Sequence, residues 1–319
     1  MRTYMNNIKI DLLYYFHSKA LFMSIIVAIV LALLQISNLN SVANTQLDFY
    51  EECYEDAIRI GLNPEITQYN ESGIENNLFD DSVSLEGKNL GDNVAGAHQL
   101  AEARIFMLMP KTFTSVFINQ HGIGILVLLI AIITTYCFGN DYDNKTIKLR
   151  VANSKSYEIM ISKYISSIVI TVISLFLILV TVYIVSLINH MSFDSRGISI
   201  GIDLFAHFKY NLFNGILVVL FNSILFTSII QLLIIIFKNR TLPIIIVFVY
   251  AMMPSLGKFD IKTLATDLVS HNQALAQFQD YSLGTDFSVI QLILILTGVI
   301  IIIELVGEYI FKLQSKYIT

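Results

Sequence analysis

The chain has 319 residues, of which 55% are hydrophobic and only 14% are charged. Soluble proteins contain about 25% charged residues, so this composition indicates an integral membrane protein and argues against a soluble domain. The formal charge of −5 and the lack of a basic cluster do not suggest a nucleic-acid partner. No GxxxxGK[ST] phosphate loop, catalytic set or metal-ligand spacing stands out, and the sequence therefore predicts no catalytic, cofactor-binding or metal site.

Residues 1–19 are predicted to form an amphipathic helix that lies in the membrane interface. Its apolar stripe, at helical spacing, consists of Ile8, Leu12, Tyr15 and Phe16. Asp11 lies off that stripe and is expected to face the polar side. The alternative interpretation is an ordinary cytosolic lead-in to the membrane.

Residues 20–36 are predicted to be the first transmembrane span, because about 17–25 apolar residues suffice to cross the hydrocarbon core. A signal peptide is the competing interpretation, since residues 41–43 (SVA) resemble a small-residue cleavage site. We expect a retained anchor.

Residues 37–122 form a polar, acidic segment that is predicted to be extracellular. Between Asp48 and Lys111 there are 13 Asp and Glu against four Lys and Arg. Lys and Arg are retained on the cytoplasmic side of a membrane, so a segment poor in them belongs outside. Two interpretations stay open: a loose acidic loop, or a small cap that contacts the substrate or a partner.

Further apolar segments predict five more spans. These are residues 123–138, 165–188, 212–237, 242–256 and 289–311. The fifth span, 242–256, is short or broken, and we count it as a crossing because the last span must return inside. The segments between spans are the outer ones at 189–211 and 257–288 and the cytosolic ones at 139–164, 238–241 and 312–319. The sequence thus predicts an all-α, six-span membrane protein with both termini in the cytoplasm.

The predicted spans contain hydroxyl and amide side chains but no charged residue near their centres. Those singled out are Thr134, Thr135, Ser167, Thr171, Asn222, Thr227 and Gln231. They either bond helices to one another or line a pathway for an amphipathic substrate. An ion-coupled carrier or channel is disfavoured, since such proteins usually carry an ionisable residue at mid-membrane.

The cytosolic segment 139–164 is polar and basic, with five Lys and Arg against three acids. Both of its ends are tied to spans, so a push on it would be felt by two spans at once. We interpret it as the place where a soluble partner applies force. The alternative is that its positive charge sets the topology alone.

Motifs in this segment resemble those of the permease subunits of type-2 ABC exporters. The family's loop often reads E-Y-x-x-G-T-[IL], followed by a P-x-S-R-like turn and a Lys that opens the third span. Residues 141–147 (DYDNKTI) match the first part, with Asp141 in place of the Glu and Lys145 in place of the Gly. Residues 152–155 (ANSK) fall at the turn, without the proline and with Lys155 in place of the Arg, and Lys163 matches the closing lysine.

The resemblance implies a separate cytosolic ABC ATPase subunit that binds ATP and Mg, and no cofactor is expected in this chain. It also implies a second permease copy or paralogue in a dimer and a surrounding lipid bilayer, the plasma membrane of a bacterium. A coupling helix within 139–163 would dock in the ATPase. The residues expected to serve that coupling are Asp141, Tyr142, Asn144, Thr146, Lys148, Lys155 and Lys163.

The expected function is export of an amphipathic substrate, such as a peptide, an antimicrobial or a lipid-like molecule, from the cell or the inner leaflet. The chain itself is not expected to be an enzyme. The alternative is a membrane sensor or scaffold whose extracellular segment binds a ligand without an ATPase.

Overall fold

The computed structural model describes residues 2–59, 61, 90–121, 124–198, 212–254, 256–270 and 287–316. All regular secondary structure within these ranges is helical, which confirms the predicted all-α fold. The helices are α1 Arg2–His17, α2 Lys19–Arg59, α3 Leu90–Met107, α4 Pro110–His121, α5 Ile125–Asp143, α6 Ile147–Asn153, α7 Ser156–Ser192, α8 Leu212–Phe237, α9 Thr241–Met252, α10 Ile261–Ser270 and α11 Val289–Ser315.

Among the described helices, α2, α5, α7, α8 and α11 are long and apolar enough to cross a membrane. They confirm a multi-pass membrane protein. The apolar helix α9 has only 12 residues. At 1.5 Å per residue it is about 18 Å long, well short of the roughly 30 Å hydrocarbon core. The predicted count of six spans depends on α9 and stays a prediction.

The helix of the first span is much longer than the apolar segment that predicted it. α2 has 41 residues and ends at Arg59, whereas the apolar run ends at Ile36. Beyond that point a stripe at four-residue spacing, Leu39, Ala43 and Leu47, stays buried. Leu47 packs with Ala101 and Ile105 of α3. The start of the predicted outer segment is therefore a continuation of the membrane helix, whereas its residues 62–89 lie outside the described ranges.

Small residues of α2 are buried in the helix bundle, and polar residues join α2 to α7. Ala28 and Ala32 are fully buried in the main core cluster. Further along the two helices, the Asn40 and Asn189 amides exchange hydrogen bonds of 2.9 and 3.2 Å. In lipid the hydrophobic effect does not drive helix association, so close packing of small residues and interhelical hydrogen bonds hold such a pair together.

One end of the helix bundle collects four chain segments. A hydrogen bond of 2.8 Å joins Ser156 at the start of α7 to Ser315 at the end of α11. The turn between α8 and α9 packs against the last part of α5 through Arg240. α1 meets the first part of α7, where Asp11 lies 3.7 Å from Lys163, so it lies at the same end. We call this the polar end, because the segments between the spans here are rich in Lys and Arg.

Arg240 packs along one face of α5 through two contacts. Its guanidinium lies 4.1 Å from the centre of the Tyr136 ring and its Nε lies 2.6 Å from a carboxylate oxygen of Asp143. Between those two residues is Gly139, where an added Cβ would come within 2.5 Å of the Arg240 Cβ. Only glycine permits this approach, because real Cβ atoms do not come so close.

We predict that Gly139→Ala destabilises the protein by about 1–3 kcal/mol, since the added methyl group must displace the turn that carries Arg240. The matched control is Gly298→Ala in α11, where a Cβ would meet nothing within 4 Å. There the loss of backbone freedom in the unfolded chain is expected to stabilise by about 0.5–1 kcal/mol. Thermal unfolding midpoints in mild detergent measure both, and equal midpoints for the two variants would contradict the packing argument.

Candidate functional site

The polar segment between the second and third predicted spans is an ordered helix–turn–helix–turn unit. α5 runs to Asp143, beyond the predicted span end at residue 138, because its last turn is held by charged contacts from α6, α7 and the α8–α9 turn. A turn leads into α6, which has seven residues, and two residues later α7 begins. α6 is therefore linked to a long membrane helix on each side by only two or three residues.

The backbone conformation at Lys145 accounts for the glycine that the resembled family has at this position. Its backbone φ is 57°, in the left-handed region that glycine adopts without cost. A lysine there is strained by roughly 1–2 kcal/mol. The turn nevertheless keeps this conformation, since α6 is fixed in place by its other contacts.

Four charged side chains meet inside the polar end, and we call them the charge cluster: Asp11 of α1, Asp141 of α5, Arg150 of α6 and Lys163 of α7. The Arg150 guanidinium joins both acids, with Nη2 2.8 Å from Asp11 and Nε 3.1 Å from Asp141. The Lys163 ammonium lies 2.5 Å from Asp141 and 3.7 Å from Asp11. The two positive and two negative charges balance.

All four side chains of the charge cluster are nearly withdrawn from solvent, with exposures between 2% and 10%. Thr146 donates to Asp141 at 2.7 Å and Ser166 donates to Asp11 at 3.2 Å. Lys163 also lies 4.9 Å from the centre of the Phe138 ring. A buried ion pair adds little net stability, yet removing one member leaves an uncompensated charge and costs about 3–5 kcal/mol.

The cluster shows that the sequence-based orientation of α1 was wrong in one respect. Asn7, Asp11 and Tyr15, at four-residue spacing, form the buried face, whereas Phe16 is 54% exposed. The Tyr15 hydroxyl bonds to Ser174 of α7 at 2.8 Å. Hydrophobic periodicity placed Asp11 on the polar side, because a carboxylate is expected in water. The two cations that meet it come from distant parts of the chain, and no local signal reveals them.

The structure divides the predicted coupling residues into two groups. Asp141 and Lys163 are only 2% exposed, and Thr146 bonds to Asp141, so these three act inside the protein. Tyr142 is half-buried, with its ring stacked on Phe138. The predicted residues that remain at the surface are Asn144, Lys148 and Lys155.

α6 has one inward and one outward face. Ile147 is 6% exposed and Arg150 enters the charge cluster, so these residues hold the helix on the bundle. The outward face consists of Lys148, Leu149, Ala152 and Asn153. Leu149 is 67% exposed, which leaves an apolar side chain in water beside a lysine. Sequence reasoning had singled out the charges and missed this leucine, since an isolated leucine between polar residues carries no signal of its own.

The polar residues of the predicted spans mostly bond helices together. Thr134 and Thr171 hydroxyls are 3.1 Å apart across α5 and α7, and Gln231 of α8 donates to Ser167 of α7. Asn222 donates to the Ala265 carbonyl of α10 at 3.2 Å. Thr135 bonds to its own helix and Thr227 is buried. These contacts favour packing over a pathway lining.

Comparison with known proteins gives one family. Residues 96–254, about half of the chain, match the family model described as ABC-2 family transporter protein. The matched region runs from within α3 to the end of α9 and contains the whole of α6. No match was found among curated proteins or among solved structures.

We predict that Asp11→Asn lowers the thermal midpoint of the detergent-solubilised protein by an amount equivalent to about 3–5 kcal/mol, because Arg150 and Lys163 then share one carboxylate. The double variant Asp11→Asn/Arg150→Gln restores charge balance and should recover part of the loss. Asp48→Asn is the control, since its pair with Arg196 lies in solvent, and we expect its midpoint to be unchanged. A double variant less stable than the single one would contradict the charge-balance argument.

Proposed function

The chain belongs to the ABC-2 family of transporter proteins, and from this premise we propose that it is the permease subunit of an ATP-driven exporter. Its substrate is amphipathic: a peptide, an antimicrobial or a lipid-like molecule that leaves the cell or the inner leaflet. The outward face of α6 is the docking surface for a cytosolic ABC ATPase, which carries the ATP and Mg. A second permease, identical or paralogous, completes the complex.

The observation that carries this proposal is the two-faced character of α6. A short helix is tied on its inner side to α1, α5 and α7 through Arg150 and its neighbours, while its outer side offers an exposed apolar residue among cations. An apolar side chain that inserts into a groove supplies binding energy. The surrounding lysines, Lys145, Lys148 and Lys155, supply complementarity to an acidic surface and thereby register.

The charge cluster supports a mechanical role for α6. A displacement of α6 would move Arg150 away from Asp11 and Asp141, and the separation of buried opposite charges is costly. α1 and α5 are therefore expected to follow α6 as one body. A displacement of α6 by the ATPase would therefore be transmitted to the second and third spans, because no flexible loop lies between them and α6 to absorb the motion.

The arrangement of the ends supports a topology with α6 and both termini in the cytoplasm. The polar end carries α1, α6, the α8–α9 turn and the end of α11. The acid-rich last part of α2 is joined at the other end to Arg196, which follows α7. Because positive residues are retained inside, the polar end is assigned to the cytosol of a plasma membrane.

The test is retention of a co-expressed ABC ATPase by the tagged chain in mild detergent. We predict that Lys148→Glu/Leu149→Asp weakens retention about 10–100-fold, since it reverses one charge and removes the apolar anchor. Both side chains point away from the bundle, so the thermal midpoint should stay at the wild-type value.

The matched control is Lys312→Glu/Leu313→Asp. These residues are also an exposed Lys–Leu pair, near the end of α11, at the same end of the bundle. The control is expected to retain the ATPase. Equal retention by both double variants would refute docking through α6. If wild type retains no ATPase under any condition, the alternative, a membrane sensor or scaffold whose extracellular segment binds a ligand, replaces the exporter.

A further inference from the structure

A cavity of about 570 Å³ lies between α8, α10 and α11, away from the charge cluster and from α6. Ligand pockets in proteins typically measure about 300–1,000 Å³, so its volume suits a ligand rather than a few waters. Of the described residues that line it, all are apolar except Asn214. The largest contribution comes from α8, with Leu217, Val218, Phe221 and Ile224.

The position of the cavity follows from how the three helices pack. Leu225, Leu292 and Leu296 belong to a second core cluster, in which α8 and α11 meet with Leu264 and Leu268 of α10. The cavity lies beside this cluster, toward the first residues of α8 and α11, and its α11 wall is Val289 and Ile293. It is thus at the end of the bundle opposite the polar end.

The cavity is open at the side of the bundle. Leu217 is 44% exposed, Ile293 is 42% exposed and Val289 is 38% exposed. These residues belong to helices that are long and apolar enough to cross a membrane, so we expect lipid to be the medium that meets the opening. An apolar groove filled with water at this depth would be unfavourable, whereas hydrocarbon fills it without desolvation cost.

The dimensions match one leaflet. Asn214 and Ile224 mark the two ends of the α8 wall, ten residues apart, which is about 15 Å of helix. Half of the roughly 30 Å hydrocarbon core is the same length. The described residues of the wall are apolar along this length, and Asn214 places an amide at the end near the start of α8. This arrangement complements an amphiphile that has an acyl chain and a polar group at one end.

We propose that this groove binds one acyl chain of a membrane phospholipid of the outer leaflet, with the ester region of the lipid near Asn214. The assignment to the outer leaflet rests on the topology proposed above, whereas the lipid site itself does not depend on the exporter, its substrate or its ATPase. The bound lipid would fill the space between α8 and α11 and fix their separation at this end.

The chain contains no tryptophan, which allows a clean test. Two single-tryptophan variants are made on adjacent residues of α11: Ile293→Trp, at the groove, and Leu294→Trp, which does not line it and is 66% exposed. Each variant is reconstituted in phosphatidylcholine with an increasing fraction of phosphatidylcholine brominated on the acyl chains. Quenching of the indole then reports how well a chain occupies each position.

We expect half-maximal quenching at position 293 at a mole fraction of brominated lipid about twofold higher than at position 294, because a single site exchanges its chain in proportion to the mole fraction, whereas an exposed indole is quenched when any of the few shell chains that touch it is brominated. Addition of Val218→Phe to Ile293→Trp narrows the groove, so the indole meets the ordinary lipid shell and the value at 293 should fall to that at 294. Unchanged elution in size exclusion confirms that the variants fold.

Two outcomes would overturn the proposal. Equal quenching curves at the two positions mean that only the ordinary lipid shell is present. Weaker quenching at 293 than at 294 in fully brominated phosphatidylcholine means that the groove is filled by another segment of the chain or by a second copy and is closed to lipid.

Discussion

The bridge that Arg150 makes between Asp11 and Asp141 is the contact on which the polar end depends. One planar guanidinium joins the N-terminal helix to the end of the second span and fixes α6 between them. This bridge contributes less to the net stability of the fold than to the selection of a single position for α6. In a setting so poor in water, any arrangement of α6 that separates these charges is strongly disfavoured.

The electrostatics of α5 reinforce the same arrangement. The C-terminus of a helix carries a partial negative charge, and the last turn of α5 adds the carboxylates of Asp141 and Asp143. Three cations meet that end from different directions: Arg150 from α6, Lys163 from α7 and Arg240 from the α8–α9 turn. The second span therefore ends at a point where four parts of the chain are bonded together, and α6 is attached at that point.

This arrangement changes the role of the basic residues in the segment. Sequence reasoning treated them as one group that faces a partner. In the structure Arg150 and Lys163 form ion pairs with buried carboxylates, while Lys148 and Lys155 remain in solvent. Positive-inside retention and partner docking are thus not the only uses of positive charge here, since part of it neutralises acids that the protein has itself buried.

The opposite end of the molecule has a different character. α2 continues beyond its apolar run as a helix that packs against α3, and at the start of α8 and α11 the bundle opens into an apolar groove. The polar end is bonded by buried charges, whereas this end combines apolar packing with the solvent-exposed ion pairs of Arg196.

The sequence by itself determined the class of protein, the all-α fold, the positions of the long apolar helices and the resemblance of residues 141–163 to a permease loop. Each of these follows from composition, from runs of apolar residues or from a short local motif. Such local features can be interpreted without knowing which residues meet in the folded chain. Helix lengths were less accessible, because the last part of α2 and the last turn of α5 are held by contacts with α3 and with cations far along the chain.

Only the tertiary structure decided which charges are buried and which face of α6 is free. Asp11 and Lys163 lie 152 positions apart in the numbering, yet their side chains meet within 3.7 Å, and neither periodicity nor charge counting can pair residues at that separation. The same holds for Gly139 and Arg240 and for the groove between α8, α10 and α11. The physical reason is that burial in a helix bundle depends on how whole helices pack against one another, whereas a single sequence records only the preference of each helix for lipid or water.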